Sequence, residues 1–513
     1  MRMRRRSGVL LALGGALALA ALALVWAMGA GSSEGQEGAL HNCPQPGKWA
    51  MSVWDGADGA DTGQALATCG AGSVDSAYYI DPDTQVWLRY FAGRPQVSDL
   101  ETLDSMQGLI THGAIAAAPS TATATPTLAP SPTDKWALWT QGTRLRGANI
   151  HQRRVYPELD SDSMGSGAVG PPYTQEDFDQ LAALGANYVN ISHPGLYTET
   201  PPYLLDESIQ DNLDSLLDMI AEADMFAVIS FRTGPGRSEF TFYGGDWFDE
   251  SYLNDSVWQD QSAQDAWVEM WRYTAERYRN NPIVVGYDLM VEPNANGILD
   301  VWDPEEFYST WAGTLNDWNQ LHPRITTAIR QVDADTPILI GGMSFSAVGW
   351  LPYLQPTSDT RTVYTVHQYE PMQYTHQLSP LDLAYPGVFD IDWDGVDDQF
   401  NRSWLENLLS AVSAFEAAHG VPVAVNEFGL MRWEPGAAEF MDDQMDLFES
   451  LGMNYALWQW QGAWEQRAED DEFNFRHGPD PDNHADVASS PLTDVIRGRW
   501  EQSVVRPSNL GTP

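Results

Sequence analysis

Basic residues are scarce in this chain of 513 residues: 27 Lys and Arg face 71 Asp and Glu, a formal net charge of −44. A folded surface this acidic repels phosphate backbones and anionic lipid, so nucleic acid is set aside as a partner and the charge is read as serving solubility. Cysteine is scarcer still. Only Cys43 and Cys69 occur, so a metal-type Cys/His cluster is absent, although the pair can close one disulfide loop in an oxidising compartment. No Gly-rich phosphate loop of either standard spacing follows the early strand-like segments, which argues against nucleotide binding, and no internal repeat is seen. What is plentiful is core-forming material. A hydrophobic content of 43%, with 21 Trp, 20 Tyr and 17 Phe, excludes a disordered protein and suffices for a large core.

The chain opens on an address. Arg2, Arg4, Arg5 and Arg6 precede an apolar stretch from Val9 to about Met28, and small residues around Ala27, Gly29 and Ala30 offer a cleavage site. The stretch is long enough either to be removed as a signal peptide or to stay as a membrane anchor. Both readings place the rest of the chain outside the cytoplasm or on the outer face of the cell membrane. Residues 1–40 are therefore expected to be leader or anchor. Residues 41–112 read as a small β-rich module, from the alternation of Lys48 to Trp54 and the two strand-like runs about a Pro-Asp turn between Tyr78 and Phe91. Its aromatics Trp49, Trp54, Trp87, Tyr78 and Tyr79 are expected mainly as core, with a sugar-stacking face as the alternative. Residues 113–134, rich in Pro, Ser and Thr and nearly uncharged, are expected to be a linker, and 135–513 a single large domain.

In that domain, strand-like segments alternate with amphipathic ones. The strands are expected over Arg144 to Ile150, Tyr188 to Ser192, Phe226 to Phe231, Val284 to Met290, Ile338 to Gly342, Thr362 to Gln368, Val423 to Glu427 and Tyr455 to Trp460. Helical periodicity marks Ile209 to Ala223, Ala263 to Arg279, Trp311 to Arg330, Trp404 to His419 and Ala438 to Leu451. Eight strands interleaved with helices predict an α/β fold of the (β/α)8 TIM-barrel type.

Two acidic residues then stand out. Glu292 follows one apolar run in Met290-Val-Glu-Pro-Asn294, and Glu427 ends another in Asn426-Glu-Phe-Gly429, each succeeded by turn-forming Pro or Gly. Such residues finish strands four and seven, at the barrel face where these folds keep their chemistry. Two carboxyl groups facing one another across that mouth can cleave a glycosidic bond, with retention if they lie about 5–5.5 Å apart.

At this point the sequence resembles glycoside hydrolase family 5, over about residues 140 to 465. Leu145-Arg-Gly-Ala-Asn-Ile150 is similar to that family's first strand, Asn281 to Asn294 to its acid/base strand, and His367-Gln-Tyr369 to its His-x-Tyr. Asn426 to Gly429 matches its nucleophile motif and Leu457-Trp-Gln-Trp460 its strand-eight tryptophan. The resemblance implies Glu292 as general acid/base, Glu427 as nucleophile, Tyr369 as hydrogen-bond partner of the nucleophile, His367 as a neighbour of substrate or acid/base, and Trp458 as stacking floor. Glu292 is then expected to hold its proton near neutral pH and Glu427 to stay ionised. Three positions depart from the family. Val291 stands where an Asn usually precedes the acid/base, Asn190 replaces a strand-two Arg, and Arg232 takes the strand-three His position. Asn149, His151, Asn190, Arg232 and Asn294 are the residues expected to rebuild the substrate subsite.

Loop composition adds two expectations. Gly234 to Trp258 carries Tyr243, Trp247, Phe248 and Tyr252, suited to a cleft wall though more often core. Asp390 to Asp398 spaces carboxylates as a calcium loop does, but Asn401 stands where the terminal Glu belongs, so an ordinary acidic loop is preferred and no metal is expected. The conclusion is an exported hydrolase of a β-linked polysaccharide, β-glucan or β-mannan in type, working by double displacement on poly- or oligosaccharide, as a monomer, with no cofactor. A non-catalytic carbohydrate-binding barrel and a transglycosylase are the alternatives.

Overall fold

The computed structural model describes residues 38–510 apart from 46–47, 71–72, 83–86, 93–97, 99, 114–133, 161–162, 244–247, 379–380 and 468–470. Residues 1–37 of the expected leader, nearly all of the expected linker and Trp247 lie outside the described residues, while Leu40, the last residue of the expected leader, already belongs to a strand. Among the described residues no helix is long and apolar enough to cross a membrane. The chain divides into two compact units, residues 1–127 and 128–513.

The first unit is built on an antiparallel sheet whose strands run in the order Leu40–His41, Trp49–Trp54, Gly108–Gly113, Val74–Ile80 and Trp87–Phe91. Leu40, Trp54, Leu66, Leu103 and Leu109 are buried between this sheet and the loops over it. A disulfide joins Cys43 to Cys69, whose Cα atoms are 5.6 Å apart. The expectation that the aromatics serve as core holds for Trp54 but not for Trp49. The latter is 41% exposed, with its ring 4.8 Å from His112 and 5.8 Å from Tyr78.

The second unit is a closed barrel of eight parallel strands: β1 (Arg146–His151), β2 (Tyr188–Pro194), β3 (Phe226–Thr233), β4 (Val284–Asp288), β5 (Ile338–Gly341), β6 (Thr362–Gln368), β7 (Val423–Phe428) and β8 (Tyr455–Leu457). β8 pairs back onto β1, so no edge is left open. Around it lie α1 (Gln175–Ala183), α2 (Glu207–Glu222), α3 (Gln261–Tyr278), α4 (Trp318–Arg330), α5 (Arg402–His419), α6 (Ala437–Ser450) and α7 (Pro491–Trp500). Several helices start where a side chain satisfies the first free amides: Asp206 before α2, Asp260 before α3 and Asn401 before α5. The helix expected over Trp311 to Arg330 is two helices. Pro304–Trp311 ends before Gly313, whose φ of +76° suits a residue without a Cβ, and Asp317 caps the new start of α4.

The barrel interior has two unlike layers. Near the N-terminal mouth, Leu145, Tyr188, Phe226, Val228, Leu339, Val363, Ala424 and Ala456 pack with Trp139, whose indole N–H donates to the Val285 carbonyl at 2.9 Å. Burying a side chain such as Phe226 contributes about 1.5–3 kcal/mol, so this plug fixes the closure of the barrel. Above it the interior turns polar, with Asn149, Asn190, Ser230, Asp288 and Asn426 all buried. That layer is the floor on which the cleft is built.

Candidate active site

Glu427 lies within β7, and an irregularity in that strand aims it. β6 and β7 pair Val366 with Val425 and then His367 with Glu427, so Asn426 is the extra residue of a bulge. Strict alternation would send Asn426 and Glu427 to opposite faces of the sheet, whereas a bulge lets neighbours share one. Asn426 points down into the polar layer. Its amide donates to Asp288 Oδ2 at 2.6 Å and accepts from Tyr188 Oη at 3.0 Å, while its backbone carbonyl accepts from Asn149 Nδ2 at 3.0 Å. Glu427, 4% exposed, accepts from Tyr369 Oη at 2.9 Å.

Glu292 is held differently. β4 ends at Asp288 rather than Met290, so Glu292 sits on the loop beyond it, with a φ of +56° that a glutamate seldom adopts. Arg237 clamps this loop. Its guanidinium donates to the carbonyls of Arg232 (2.9 Å), Val291 (2.7 Å) and Glu292 (2.6 Å) and to Asn294 Oδ1 (3.3 Å), and it meets no carboxylate among the described residues. Burial, with the like charge of Arg232, brings Arg237 down to about 9. From the loop after β5, the Phe345 amide donates to the Pro293 carbonyl at 3.0 Å.

One oxygen of each glutamate and a ring nitrogen of His367 all lie within 4.8 Å of one another. His367 Nδ1 is 3.0 Å from Glu292 Oε1 and 3.6 Å from Glu427 Oε2. Burial would lower the His367 pKa, but the charges of Glu427 and Glu292 and the hydrogen bond to Glu292 lift it to about 9. For Glu427 burial dominates, Glu292 adds to it, and the carboxyl rises to about 7. Burial pushes Glu292 the same way, but the His367 hydrogen bond and charge, helped by Arg232 and Arg237, outweigh it and hold this carboxyl below its ordinary value. The two carboxyls are thus pushed in opposite directions, Glu427 up and Glu292 down, where the sequence expectation had Glu292 as the proton holder. Because His367 Nδ1 stands beside both carboxylates, giving its proton to Glu292 and taking one from Glu427 produces the expected distribution with no change of net charge.

The other expected residues divide into two groups. His367, Tyr369, Trp458, His151 and Arg232 gather around the pair. The Trp458 ring lies 5.5 Å from the His151 ring, and the Arg232 guanidinium carbon lies 5.8 Å from the Trp458 ring. Asn149, Asn190 and Asn294 do not line the cleft. They are 0%, 1% and 1% exposed, and their amides serve other parts of the protein. Asn190 Nδ2 donates to Asn149 Oδ1 at 2.6 Å, and Asn294 is taken by Arg237 and by Thr241 Oγ1 at 3.0 Å. Their function is to support the floor and the Glu292 loop. In the Gly234 to Trp258 loop, Phe240 is buried, with Phe248 4.7 Å and Tyr252 5.2 Å from it, so those rings form a packed cluster.

Among the described residues two groups have the makings of metal ligands, the pair with His367 and the trio Asp390, Asp392 and Asp394. In the trio each residue already gives one carboxylate oxygen to a loop amide, of Gly395, Asp394 and Val396 respectively.

A family model described as cellulase (glycosyl hydrolase family 5) matches residues 141–463, the span that carries the barrel and both glutamates. The chain belongs to glycoside hydrolase family 5. Within curated proteins, this family 5 chain is similar to endoglucanase C of Acetivibrio thermocellus, 20% identical over 315 residues that cover 56% of this chain and 83% of that protein. It is also similar to the probable glucan 1,3-beta-glucosidase A of Aspergillus fumigatus, 26% identical over 216 residues, 41% of this chain and 45% of that protein. Among solved structures, endoglucanase Cel5A of Thermotoga maritima shares the fold with a TM-score of 0.51 at 16% identity, over 71% of this chain and 99% of that one.

Sequence reasoning missed two residues of this family 5 site, Arg237 and Glu239. The signal was present: Arg232-Thr-Gly-Pro-Gly-Arg-Ser-Glu239 places two arginines and a glutamate within eight residues across the C-terminal end of β3, in a chain poor in basic residues.

Proposed function

We propose that this glycoside hydrolase is an exported, retaining enzyme that cleaves a β-linked glucan by double displacement, with Glu427 as nucleophile and Glu292 as acid/base. The observation that carries the reading is the approach of one oxygen from each carboxyl group to within 4.8 Å, with His367 between them. Such proximity suits a nucleophile that touches the anomeric carbon directly and leaves no room for the intervening water of an inverting enzyme.

In the first step a Glu427 oxygen bonds to the anomeric carbon as the bond from that carbon to the leaving oxygen breaks, and Glu292 transfers its proton to that oxygen. In the second, Glu292 removes a proton from water, the water oxygen bonds to the anomeric carbon, and Glu427 leaves as carboxylate with configuration restored. Tyr369 supports the ionised nucleophile through its hydrogen bond, and Trp458 offers an aromatic face to the sugar. A neutral polysaccharide also avoids the repulsion that a chain of net charge −44 would exert on an anionic one. The names of the relatives, endoglucanases and a glucosidase, favour glucan over mannan.

The test is a 2-deoxy-2-fluoroglucoside or fluorocellobioside with an activated leaving group, followed by peptide mapping, beside a panel of β-glucans and mannans. The expected outcome is one covalent sugar on Glu427 and faster release of reducing ends from glucan. A label elsewhere, or binding of glucan with neither label nor product, overturns the assignment.

A further inference from the structure

We infer that Glu239 is a positioning residue that grips Arg232 from the side, leaving both terminal amino groups of that guanidinium directed at the reacting sugar and its charge bearing on the Glu292–Glu427 pair. This rests on the glycosidase reading above and concerns how the same subsite works without the family's strand-two arginine and with Val291 before the acid/base.

The grip is specific in its geometry. Arg232 Nε donates to both carboxylate oxygens of Glu239, at 2.8 and 3.1 Å, and neither Nη atom hydrogen-bonds to a described residue. Arg146 likewise meets Glu449 through Nε, at 2.8 Å, but two other buried arginines use their terminal amino groups fully. Arg237 gives Nη1 and Nη2 to four acceptors, and Arg432 gives Nη2 to both oxygens of Asp471. An arginine present only to neutralise Glu239 would turn its fork onto the carboxylate, where two parallel bonds are available. Arg232 instead has one face covered by Phe242, whose ring centre is 3.7 Å from the guanidinium carbon, while the Trp458 ring centre is 5.8 Å away. The unused donors therefore flank whatever sugar stacks on Trp458.

Glu239 is itself fixed. It is 1% exposed, accepts from Tyr243 Oη at 3.1 Å and faces His151 Nε2 at 3.4 Å. Burial would raise its carboxyl, but the Arg232 charge and these bonds bring it down to about 2, so it stays an anion across the working range. Burial lowers the pKa of His151, with the Glu239 contact opposing it. The other titratable groups about the pair are His367, Arg237, Asp288 below it, and Glu370 and His376 from the segment after β6. Arg232 acts on both glutamates in the same sense, lowering each carboxyl.

Charge and position can be separated by three variants, each with a melting curve and a pH profile of kcat/KM on a soluble β-glucan. Arg232→Gln removes positive charge, so the carboxyl pKa values rise and both limbs of the profile move to higher pH. Glu239→Gln removes negative charge and moves both limbs to lower pH. Glu239→Asp keeps the charge but draws Arg232 away from the cleft, so kcat falls about tenfold or more with the limbs in place. Opposite limb shifts from the first two are a signature that a merely structural pair does not give. The inference is overturned if Arg232→Gln leaves the limbs where they are, or if Glu239→Asp retains the wild-type kcat. Should Glu239→Gln not fold, those two variants decide alone. Failure of the glycosidase reading itself looks different, because the wild-type protein then gives neither product nor fluoro-sugar adduct.

Discussion

Glu427 and Glu292 bring the same functional group to one cleft by unlike routes. Glu427 rides on a strand, buried on both sides, and is aimed by a single bulge whose extra residue, Asn426, is tied into the barrel floor. Glu292 rides on a loop with strained backbone, and what holds it is a buried guanidinium that grips carbonyls rather than acids. The first arrangement is rigid because the sheet ladder makes it so. The second depends on side chains from neighbouring loops, Arg237 above all. The difference teaches that equal residues need not be equally sensitive to their surroundings.

The largest effect should come from the strand-borne residue. Glu427→Gln is expected to lower kcat on glucan by about 10⁴-fold or more while a binding isotherm for cello-oligosaccharide changes little. A variant that kept most of its turnover would remove the nucleophile from this strand. Glu292→Gln should discriminate by leaving group: about 10²–10⁴-fold on glucan, but far less on an aryl glycoside whose phenolate departs unaided. Equal losses on both substrates would contradict a proton-donating role. Arg237→Met tests the clamp. With its carbonyl ligands released, the Glu292 loop can relax from its left-handed conformation, and kcat should fall roughly 10²-fold, as for a reacting group displaced by about 1 Å. Unchanged kinetics would mean that the loop holds itself.

The smallest effect concerns stability, and its sign follows from proton linkage. Glu427 has a folded-state value raised from 4.5 to about 7. It therefore contributes stability that is fully present below about pH 4.5 and is lost as pH rises through 7, because the native protein binds a proton that the unfolded chain releases. Glu427→Gln, which cannot ionise, should then melt higher than wild type at pH 8, by roughly 2 °C or more, with the gap closing toward pH 5. His367, raised to about 9, adds a loss of the same sign at higher pH, whereas the lowered Glu292 loses its contribution as pH falls. Melting curves of both proteins from pH 5 to 9 check the crossing; a gap that widens toward acid would reverse the assignment of the cost.

Much of the barrel was legible because its strands are short runs of buried apolar residues separated by helix-capping Asp, Asn and Ser, and each of the eight expected strands is present. The break before α4 was not, since Trp311 to Arg330 keeps an apolar period through a turn that only Gly313 and Asp317 betray. Site residues were legible in proportion to how local their cause is. His367, Tyr369, Glu427 and Trp458 sit at or just past strand ends, where position along the chain predicts exposure to the cleft. Asn149 and Asn190 lie on strands too, yet they form part of a polar floor that no period reveals. The opposite shifts of the two carboxyls were not legible either, because they depend on a histidine placed 3.0 Å from one glutamate and 3.6 Å from the other.

Composition and pattern alone determined a large aromatic-rich core, an acidic surface, alternating strands and helices, and two glutamates after apolar runs in successor positions to parallel strands. Those features follow from local propensity and from the burial that each segment's own side chains demand. Closure of the barrel decided the rest. Only once β8 met β1 did residues hundreds of positions apart come within hydrogen-bonding distance, and in that closed fold Arg232 and Arg237 act on Glu292 where the low polarisability of a packed interior makes each charge count.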